Sequence, residues 1–272
     1  MSETVQPKRV RVQHLQAAKD SGERIVMLTA YDFLTAQIFD EAGIDVLLVG
    51  DSVGDNLLGH DTTIPVTVDE LIPLARGVSR AVKRSLVVVD LPFGSYEASE
   101  YQAFETAARM MKEAGAHAVK VEGGKSIAPT VRKLVDAGIP VMGHIGLTPQ
   151  SEHVLGGKRV QGRGDNAAEH LCEEALALQE AGAFAIVLEL LPAPVAAAVT
   201  EVLSVPTIGI GAGPETDGQV LVWMDMAGMS DWTPRFAKRY AELRGELANA
   251  ARAYAQEVRT GTFPDEAHTF SD

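Results

Sequence analysis

The chain has 272 residues, of which 46% are apolar, enough to bury a sizeable core in one large domain or two small ones. Its formal charge of −13 disfavours a nucleic-acid partner, because binding phosphates requires clustered Lys and Arg. The single cysteine, Cys172, cannot form an intramolecular disulfide, and we expect a reducing, cytoplasmic location with this thiol packed in a helix. No signal-peptide segment and no run of about 18 apolar residues is present, so no membrane span is expected.

Short apolar runs recur along the chain, and each ends in a polar or glycine-rich cluster. The predicted strands are residues 25–30, 45–49, 86–89, 118–121, 140–142, 184–188, 206–210 and 219–223. Continuous apolar runs are typical of parallel strands that are buried on both faces. Eight such strands alternating with helical stretches favour a closed barrel over an open sheet. We therefore predict an α/β protein with a (β/α)8 TIM barrel, a single domain over residues 1–272 with short N-terminal and C-terminal extensions.

Three segments carry signals of their own. Thr67 and Glu70 form a capping-box pattern that predicts the start of a helix. Thr233 followed by Pro234 predicts the start of the last long helix, over residues 234–258. Residues 146–166 form a long, glycine-rich connection, and a connection of this length is more often functional than not.

Polar side chains stand at the carboxyl ends of five predicted strands. They are Asp51, Ser52, Asp90, Lys120, Glu122, His144 and Glu189. In a parallel barrel these strand ends meet at one face, where the active sites of such barrels lie. Each residue alone could be a helix cap, an ion-pair partner or a solvated strand end, but together they indicate a catalytic site.

Two aspartates are the candidate metal ligands. Asp51 and Asp90 offer hard carboxylate oxygens without nearby cysteine, which suits Mg²⁺ better than Zn²⁺. In the alternative interpretation, Asp51 caps a turn and Asp90 pairs with Lys120. The spacing of the two residues leaves both interpretations open.

The remaining strand-end residues have candidate roles in acid–base chemistry. Glu189 lies in an apolar run, where desolvation makes a carboxylate a stronger base, although a buried Glu paired with Lys or Arg would look the same. Lys120 and Glu122 alternate around Val121 and so point to the same side of their strand. Lys120 then needs an acidic partner, or acts as a Schiff-base nucleophile. His144 could bond a substrate carbonyl or only a backbone oxygen.

Two further features could bind anions. Gly209, Gly211 and Gly213 follow the seventh predicted strand, where barrels often hold anionic groups, although close backbone packing explains such glycines equally well. The long connection contains three cations, which either serve the site or face solvent: Lys158, Arg159 and Arg163.

Several of these stretches together resemble the ketopantoate hydroxymethyltransferase family. They are LTAYD at 28–32, VGDS at 49–52, PVT at 65–67, VDLPF at 89–93, VKVEGG at 119–124, GHIGLTPQ at 143–150, IGIGAG at 208–213 and GTFP at 261–264. The matches run in order along nearly the whole chain, and the string at 143–150 is highly specific.

The resemblance implies a barrel enzyme that uses Mg²⁺ and transfers a hydroxymethyl group from 5,10-methylenetetrahydrofolate to 3-methyl-2-oxobutanoate. The product is 2-dehydropantoate, formed through a Mg-stabilised enolate on the route to pantothenate and coenzyme A. The resemblance also implies a homo-oligomer, often a decamer. The roles that it implies are metal binding by Asp51, Asp90 and Glu122, substrate binding by Asp51, Ser52, Asp90, Lys120 and His144, and catalysis by Glu189 as the base.

The chain departs from the family pattern at four positions without losing any of these residues. They are Asp55, where an apolar residue is usual, Lys158 in place of an aromatic, Leu190 in place of Cys, and Met224 in place of His. The main rival interpretation is a metal-dependent lyase related to isocitrate lyase or phosphoenolpyruvate mutase. Such enzymes usually have a catalytic loop with a cysteine, whereas Cys172 lies in a predicted helix. The sequence is also compatible with a Schiff-base aldolase and with a catalytically inactive scaffold.

Overall fold

The computed structural model describes residues 8–164 and 166–270. It divides into two compact units, Met1–Val222 and Trp223–Asp272. The first unit contains the barrel and every predicted site residue. Within the described ranges, no helix is long and apolar enough to cross a membrane.

Eight parallel strands close into a barrel in which each strand pairs with the next and the eighth pairs with the first. They are β1 (Ile25–Thr29), β2 (Val46–Val49), β3 (Leu86–Asp90), β4 (Ala118–Glu122), β5 (Val141–Gly146), β6 (Ala185–Glu189), β7 (Thr207–Ile210) and β8 (Gly218–Leu221). The predicted (β/α)8 barrel and all eight strands are thereby confirmed. The last predicted strand extended too far, because Trp223 belongs to a helix.

Helices connect most of the strands of the first unit. They are α1 (Val12–Ser21), α2 (Phe33–Glu41), α3 (Val68–Ala81), α4 (Glu100–Arg109), α5 (Ala128–Asp136), α6 (Glu152–Leu155), α7 (Ala167–Glu180) and α8 (Ala193–Val202). Helix α3 begins at the predicted capping box, in which the Thr67 hydroxyl accepts from the Glu70 amide and the Glu70 carboxylate accepts from Thr67. Cys172 is a free, half-buried thiol on α7, less enclosed than the core position predicted for it.

Alternating strand residues fill the inside of the barrel. At the N-terminal half of the strands these residues are apolar, and Leu15 of α1 packs against the same cluster. The inward-facing strand residues of that cluster include Met27, Val46, Leu48, Leu86, Val88, Ala118, Met142, Ala185, Val187, Ile208 and Val220. Because successive side chains of a strand point to opposite faces, these positions fix which residues face inward at the C-terminal end of each strand.

The second unit contains α9 (Trp223–Ala227), α10 (Leu243–Thr260) and a short 3₁₀ turn at Glu266–His268. The predicted helix over residues 234–258 begins too early, since α10 starts at Leu243. The guanidinium of Arg239 donates to the Ser230 carbonyl and to the Thr233 hydroxyl, so side-chain bonds hold this stretch in an irregular loop. The Thr233 hydroxyl is thereby engaged and does not cap a helix.

Candidate active site

Four neighbouring strands place titratable side chains inside the barrel at its C-terminal end, which we call the mouth. Val88 on β3, Ala118 on β4, Met142 on β5 and Val187 on β6 face inward. Two residues further along each strand, the same alternation turns a polar side chain inward. These side chains are Asp90, Lys120, His144 and Glu189, with Glu122 a further two residues along β4. The predicted ends of strands 3 to 6 were wrong. Strands 3, 4 and 6 extend to Asp90, Glu122 and Glu189, and strand 5 continues through His144. Inward-facing polar residues interrupt the apolar run without ending the strand.

A continuous chain of contacts joins these five side chains. The Lys120 ammonium lies 2.9 Å from Oδ1 of Asp90, its register neighbour across β3 and β4. Nζ of Lys120 also lies 3.3 Å from Nδ1 of His144. His144 in turn stands between two carboxylates, with Nδ1 3.3 Å from Oε1 of Glu122 and Nε2 3.1 Å from Oε2 of Glu189. The alternative interpretation that pairs Asp90 with Lys120 therefore describes a real contact, and the two residues belong to one cluster.

Asp51 joins the cluster from the turn after β2. Its backbone amide donates to Oδ2 of Asp90 over 3.0 Å, and its side chain is 3% exposed. The close approach depends on Gly50, because a Cβ there would lie 2.9 Å from Oγ of Ser52 and 3.1 Å from Oδ2 of Asp90. Ser52 itself shares a 2.8 Å hydrogen bond with the hydroxyl of Tyr31. All seven residues predicted from the strand ends therefore lie at one mouth.

Sequence reasoning missed two buried residues of this site. Gln150, at the start of the long connection, donates from its backbone amide to Glu122 over 3.0 Å and from its side-chain amide to Asp51 over 2.7 Å. The Tyr96 hydroxyl donates to Oε1 of Gln150 over 2.7 Å and accepts from the Glu122 amide over 3.1 Å. Gln150 ends the highly specific string at 143–150, which was a usable signal. Tyr96 stands in a loop with no motif that marks it.

The cluster carries an excess of buried negative charge. Burial raises the pKa of Asp51 well above its usual range, and the adjacent carboxylates of Asp90 and Glu122 raise it further. Burial alone lowers the pKa of Lys120, but Asp90, Glu122 and Asp51 together raise it to above that of a free lysine. Lys120 is therefore an ammonium at neutral pH, a form that cannot act as an amine nucleophile.

His144 also holds a proton more tightly than a free histidine. Burial and the charge of Lys120 lower its pKa, yet the carboxylates of Glu122 and Glu189 outweigh them and bring the pKa to about 9. The imidazole is therefore cationic at neutral pH, and it bridges the two carboxylates as a positive charge.

The donor set suits a hard divalent cation. Asp90 Oδ1 and Glu122 Oε1 are buried. Beyond their ion-pair contacts with Lys120 and His144, they make no aligned hydrogen bond to a described residue, so each oxygen has a lone pair to offer. A cation would also relieve the repulsion that raises the pKa of Asp51. Among residues 8–164 and 166–270, no three His, Cys, Asp or Glu side chains are grouped as a complete metal site. That arrangement is compatible with Mg²⁺, which usually takes one or two protein carboxylates and completes its shell with water or substrate. The ligand set Asp51, Asp90 and Glu122 remains a prediction.

The long connection and the glycine motif have separate explanations. The connection contains a 3₁₀ turn at Pro149–Ser151 and the short helix α6. Of its cations, Arg159 donates to the connection's own carbonyls at Leu155 and Gly156, and Lys158 pairs with Asp55. After β7, Gly213 has a φ of +82°, and a Cβ there would lie 2.5 Å from that of Ala193, so backbone conformation and close packing account for this glycine.

Solved structures of other enzymes share this architecture. A phosphoenolpyruvate phosphomutase from Streptomyces platensis subsp. rosaceus superposes with a TM-score of 0.62 at 17% identity, over 96% of this chain and 92% of the other. A phosphonopyruvate hydrolase in complex with oxalate and Mg²⁺ superposes with a TM-score of 0.59 at 16% identity, over the same shares. At this identity the likeness establishes only the fold, a (β/α)8 barrel.

Curated relatives identify the family within this fold. A 3-methyl-2-oxobutanoate hydroxymethyltransferase from Leifsonia xyli subsp. xyli (strain CTCB07) is 62% identical over 97% of this chain and 95% of its own length. The enzyme of the same name from Thermobifida fusca (strain YX) is 62% identical over 97% of this chain and 94% of its own. The model of the family described as ketopantoate hydroxymethyltransferase matches residues 9–266. The chain belongs to this family and is a transferase, and the rival assignment to the lyases is set aside.

Proposed function

We propose that the chain transfers a hydroxymethyl group from 5,10-methylenetetrahydrofolate to C3 of 3-methyl-2-oxobutanoate and so forms 2-dehydropantoate. Family membership supports the transfer and its place in pantothenate synthesis. The observation that carries the mechanism is the chain of contacts across β3 to β6, in which a carboxylate, an ammonium, an imidazolium and a second carboxylate line one mouth.

Glu189 is the proposed base. It is the last residue of β6, and its side chain points into the barrel. That side chain is 17% exposed, so it is accessible to a substrate and largely shielded from water. A base must reach the proton that it removes, and here the proton is on C3, next to the substrate carbonyl. The His144 imidazolium, 3.1 Å away, orients the Glu189 carboxylate and presents a positive charge beside it.

Asp51 and Asp90, with Glu122 next to them, are the proposed Mg²⁺ ligands. When bound, Mg²⁺ supplies Lewis-acid stabilisation of the negative charge that develops on the substrate oxygen. Lys120 and Ser52 offer donors to the substrate's carboxylate and carbonyl. His144, whose two ring nitrogens face Glu122 and Glu189, contributes its positive charge beside the substrate's oxygens. Because Lys120 is an ammonium held by Asp90, the Schiff-base mechanism is disfavoured.

Two accompanying proposals concern assembly and location. Family membership supports a homo-oligomer, for which the expected size is a decamer, and sedimentation velocity would measure it directly. The single cysteine supports a reducing, cytoplasmic location, which imaging of the tagged protein would test.

Deuterium exchange at C3 tests the proposal. The substrate 3-methyl-2-oxobutanoate is incubated with the enzyme in D₂O and followed by NMR, first without metal, then with Mg²⁺, then with 5,10-methylenetetrahydrofolate as well. We expect metal-dependent exchange that gives way to 2-dehydropantoate when the folate is added. Exchange that needs no metal would contradict the metal assignment. No exchange in any condition would contradict the enolate mechanism.

A further inference from the structure

Gln150 connects two of the proposed metal ligands although it belongs to neither of their strands. The residue is 5% exposed, and its side-chain amide nitrogen donates to Oδ2 of Asp51 over 2.7 Å and to the Leu91 carbonyl over 3.0 Å. Its backbone amide donates to Oε2 of Glu122 over 3.0 Å. One residue thus holds a carboxylate from the turn after β2 and another from β4.

The direction of these hydrogen bonds is dictated by backbone groups at both ends. The Leu91 carbonyl can only accept, so the NH₂ end of the Gln150 amide must face it, and Asp51 on the same side must accept as well. At the other end, the Glu122 amide can only donate, so the Tyr96 hydroxyl accepts from it and turns its own hydrogen toward Oε1 of Gln150. The amide therefore cannot flip without breaking a buried hydrogen bond and leaving its polar partner unsatisfied.

We propose that Gln150 is a positioning residue that holds the side chains of Asp51 and Glu122 in the arrangement that binds the divalent cation, with Tyr96 fixing the orientation of its amide. The proposal rests on the proposed function, in which those carboxylates bind Mg²⁺. Gln150 uses one oxygen of each carboxylate and leaves the other, so it orients the ligands without competing for every lone pair. Outer partners of this kind typically change metal affinity by about 10- to 100-fold when they are removed.

Isothermal titration of Mg²⁺ into the metal-free, full-length protein tests the proposal without reference to turnover. Gln150→Met keeps the length of the side chain and removes its donors and acceptor, and we expect the dissociation constant to rise by about 10- to 100-fold. Tyr96→Phe keeps the ring and removes only the hydroxyl, so a smaller rise of about fivefold is expected. Gln161→Met is the matched control, since the side-chain amide of Gln161, in the same connection, donates to the Arg159 carbonyl and to no other described residue. The Mg²⁺ affinity of this variant should stay within twofold of the wild type.

A double variant separates positioning from general structural damage. If Tyr96 acts through Gln150, the variant with both substitutions should bind Mg²⁺ as weakly as Gln150→Met alone, because the second change has nothing left to remove. If the losses of Mg²⁺ affinity from the two single substitutions multiply in the double variant, the proposal is overturned. Wild-type affinity in Gln150→Met would overturn it as well and leave the proposed function intact, whereas a wild type that binds no Mg²⁺ would overturn both. If Gln150→Met does not fold by near-UV circular dichroism, unchanged affinity in Tyr96→Phe decides against the proposal and a fivefold loss supports it.

Discussion

Asp55 and Lys158 form an ion pair in which Oδ2 and Nζ are 2.6 Å apart, and the pair ties the π-helical turn after β2 (Gly54–Leu58) to the long connection after β5. These are two of the positions at which we expect the chain to depart from the family pattern. The negative charge of Glu189, the proposed base, adds to that of Asp55 in raising the pKa of Lys158. The ion pair therefore joins the long connection to this turn beside the site.

The first prediction is that Asp55→Asn loosens the connection. The side chains of Asp55 and Lys158 are 22% and 46% exposed, so the pair stabilises the closed connection by at most about 1 kcal/mol. That energy corresponds to a change of about fivefold in the equilibrium between the closed and the open connection. We expect trypsin to cleave after Lys158 or Arg159 about two- to fivefold faster, and the difference to shrink at high salt. The control Glu113→Gln breaks another exposed pair, with Arg109, and should leave this cleavage unchanged. Equal cleavage rates for Asp55→Asn and the wild type would show that the pair does not restrain the connection.

The second prediction concerns Glu189 as the base. Glu189→Gln keeps the shape of the side chain and removes the carboxylate, so C3 exchange of 3-methyl-2-oxobutanoate should fall by about 10²- to 10⁴-fold. The matched control is Glu174→Gln, since the Glu174 side chain is 20% exposed and accepts from the Lys125 amide outside the cluster. NMR in D₂O measures both variants. Wild-type exchange in Glu189→Gln would assign the base to another residue.

The third prediction concerns the buried pair of Lys120 and Asp90, whose side chains are 5% and 3% exposed. Lys120→Met leaves the Asp90 carboxylate buried without its counter-charge, which should lower the free energy of unfolding by about 3–5 kcal/mol. Urea unfolding with a chelator measures the loss, and added Mg²⁺ should recover part of it by supplying another cation.

Lys125→Met is the control for that experiment. Lys125 pairs with Glu173 at the surface, where both side chains are about half exposed, and such a solvent-screened pair contributes little to stability. A Lys120→Met protein as stable as the Lys125→Met protein would show that Asp90 does not depend on the ammonium.

The fourth prediction is a pH dependence of stability from His117. Burial, and to a smaller extent the charge of the nearby Arg9, lower the pKa of His117 to about 4, and its Nδ1 accepts from the Val87 amide. An unfolded histidine, with a pKa of 6.5, binds a proton first as the pH falls. The contribution of His117 to the free energy of unfolding is therefore complete above about pH 6.5 and is lost as the pH falls toward 4. With solvent screening allowed for, the loss is roughly 1–2 kcal/mol.

His117→Asn isolates this contribution, because an Asn oxygen can accept from Val87 and does not titrate. Urea unfolding between pH 7 and pH 4 should show a shallower loss of stability in this variant than in the wild type. His153→Asn, at an exposed position of α6, should keep the wild-type curve. Parallel curves for His117→Asn and the wild type would mean that other groups cause the acid sensitivity.

The sequence by itself determined the barrel and most of its mouth. Apolar runs with a polar end define the strands, and the alternation of side chains along each strand is a local property that the order of residues encodes. Asp90, Lys120, His144 and Glu189 could therefore be assigned to one end of the barrel before any contact was known. The capping box at Thr67 was readable for the same reason, since it involves only residues three positions apart.

Only the tertiary structure decided which of these groups touch and what else joins them. Gln150 and Asp51 are 99 positions apart, and Asp55 and Lys158 are 103 apart, so their contacts depend on how the barrel closes and how a long connection folds back over it. The irregular stretch before α10 shows the same limit. Thr233 and Pro234 carry a helix-start signal, yet in the structure Arg239, six residues further on, donates to the Thr233 hydroxyl and the Ser230 carbonyl, and α10 begins only at Leu243.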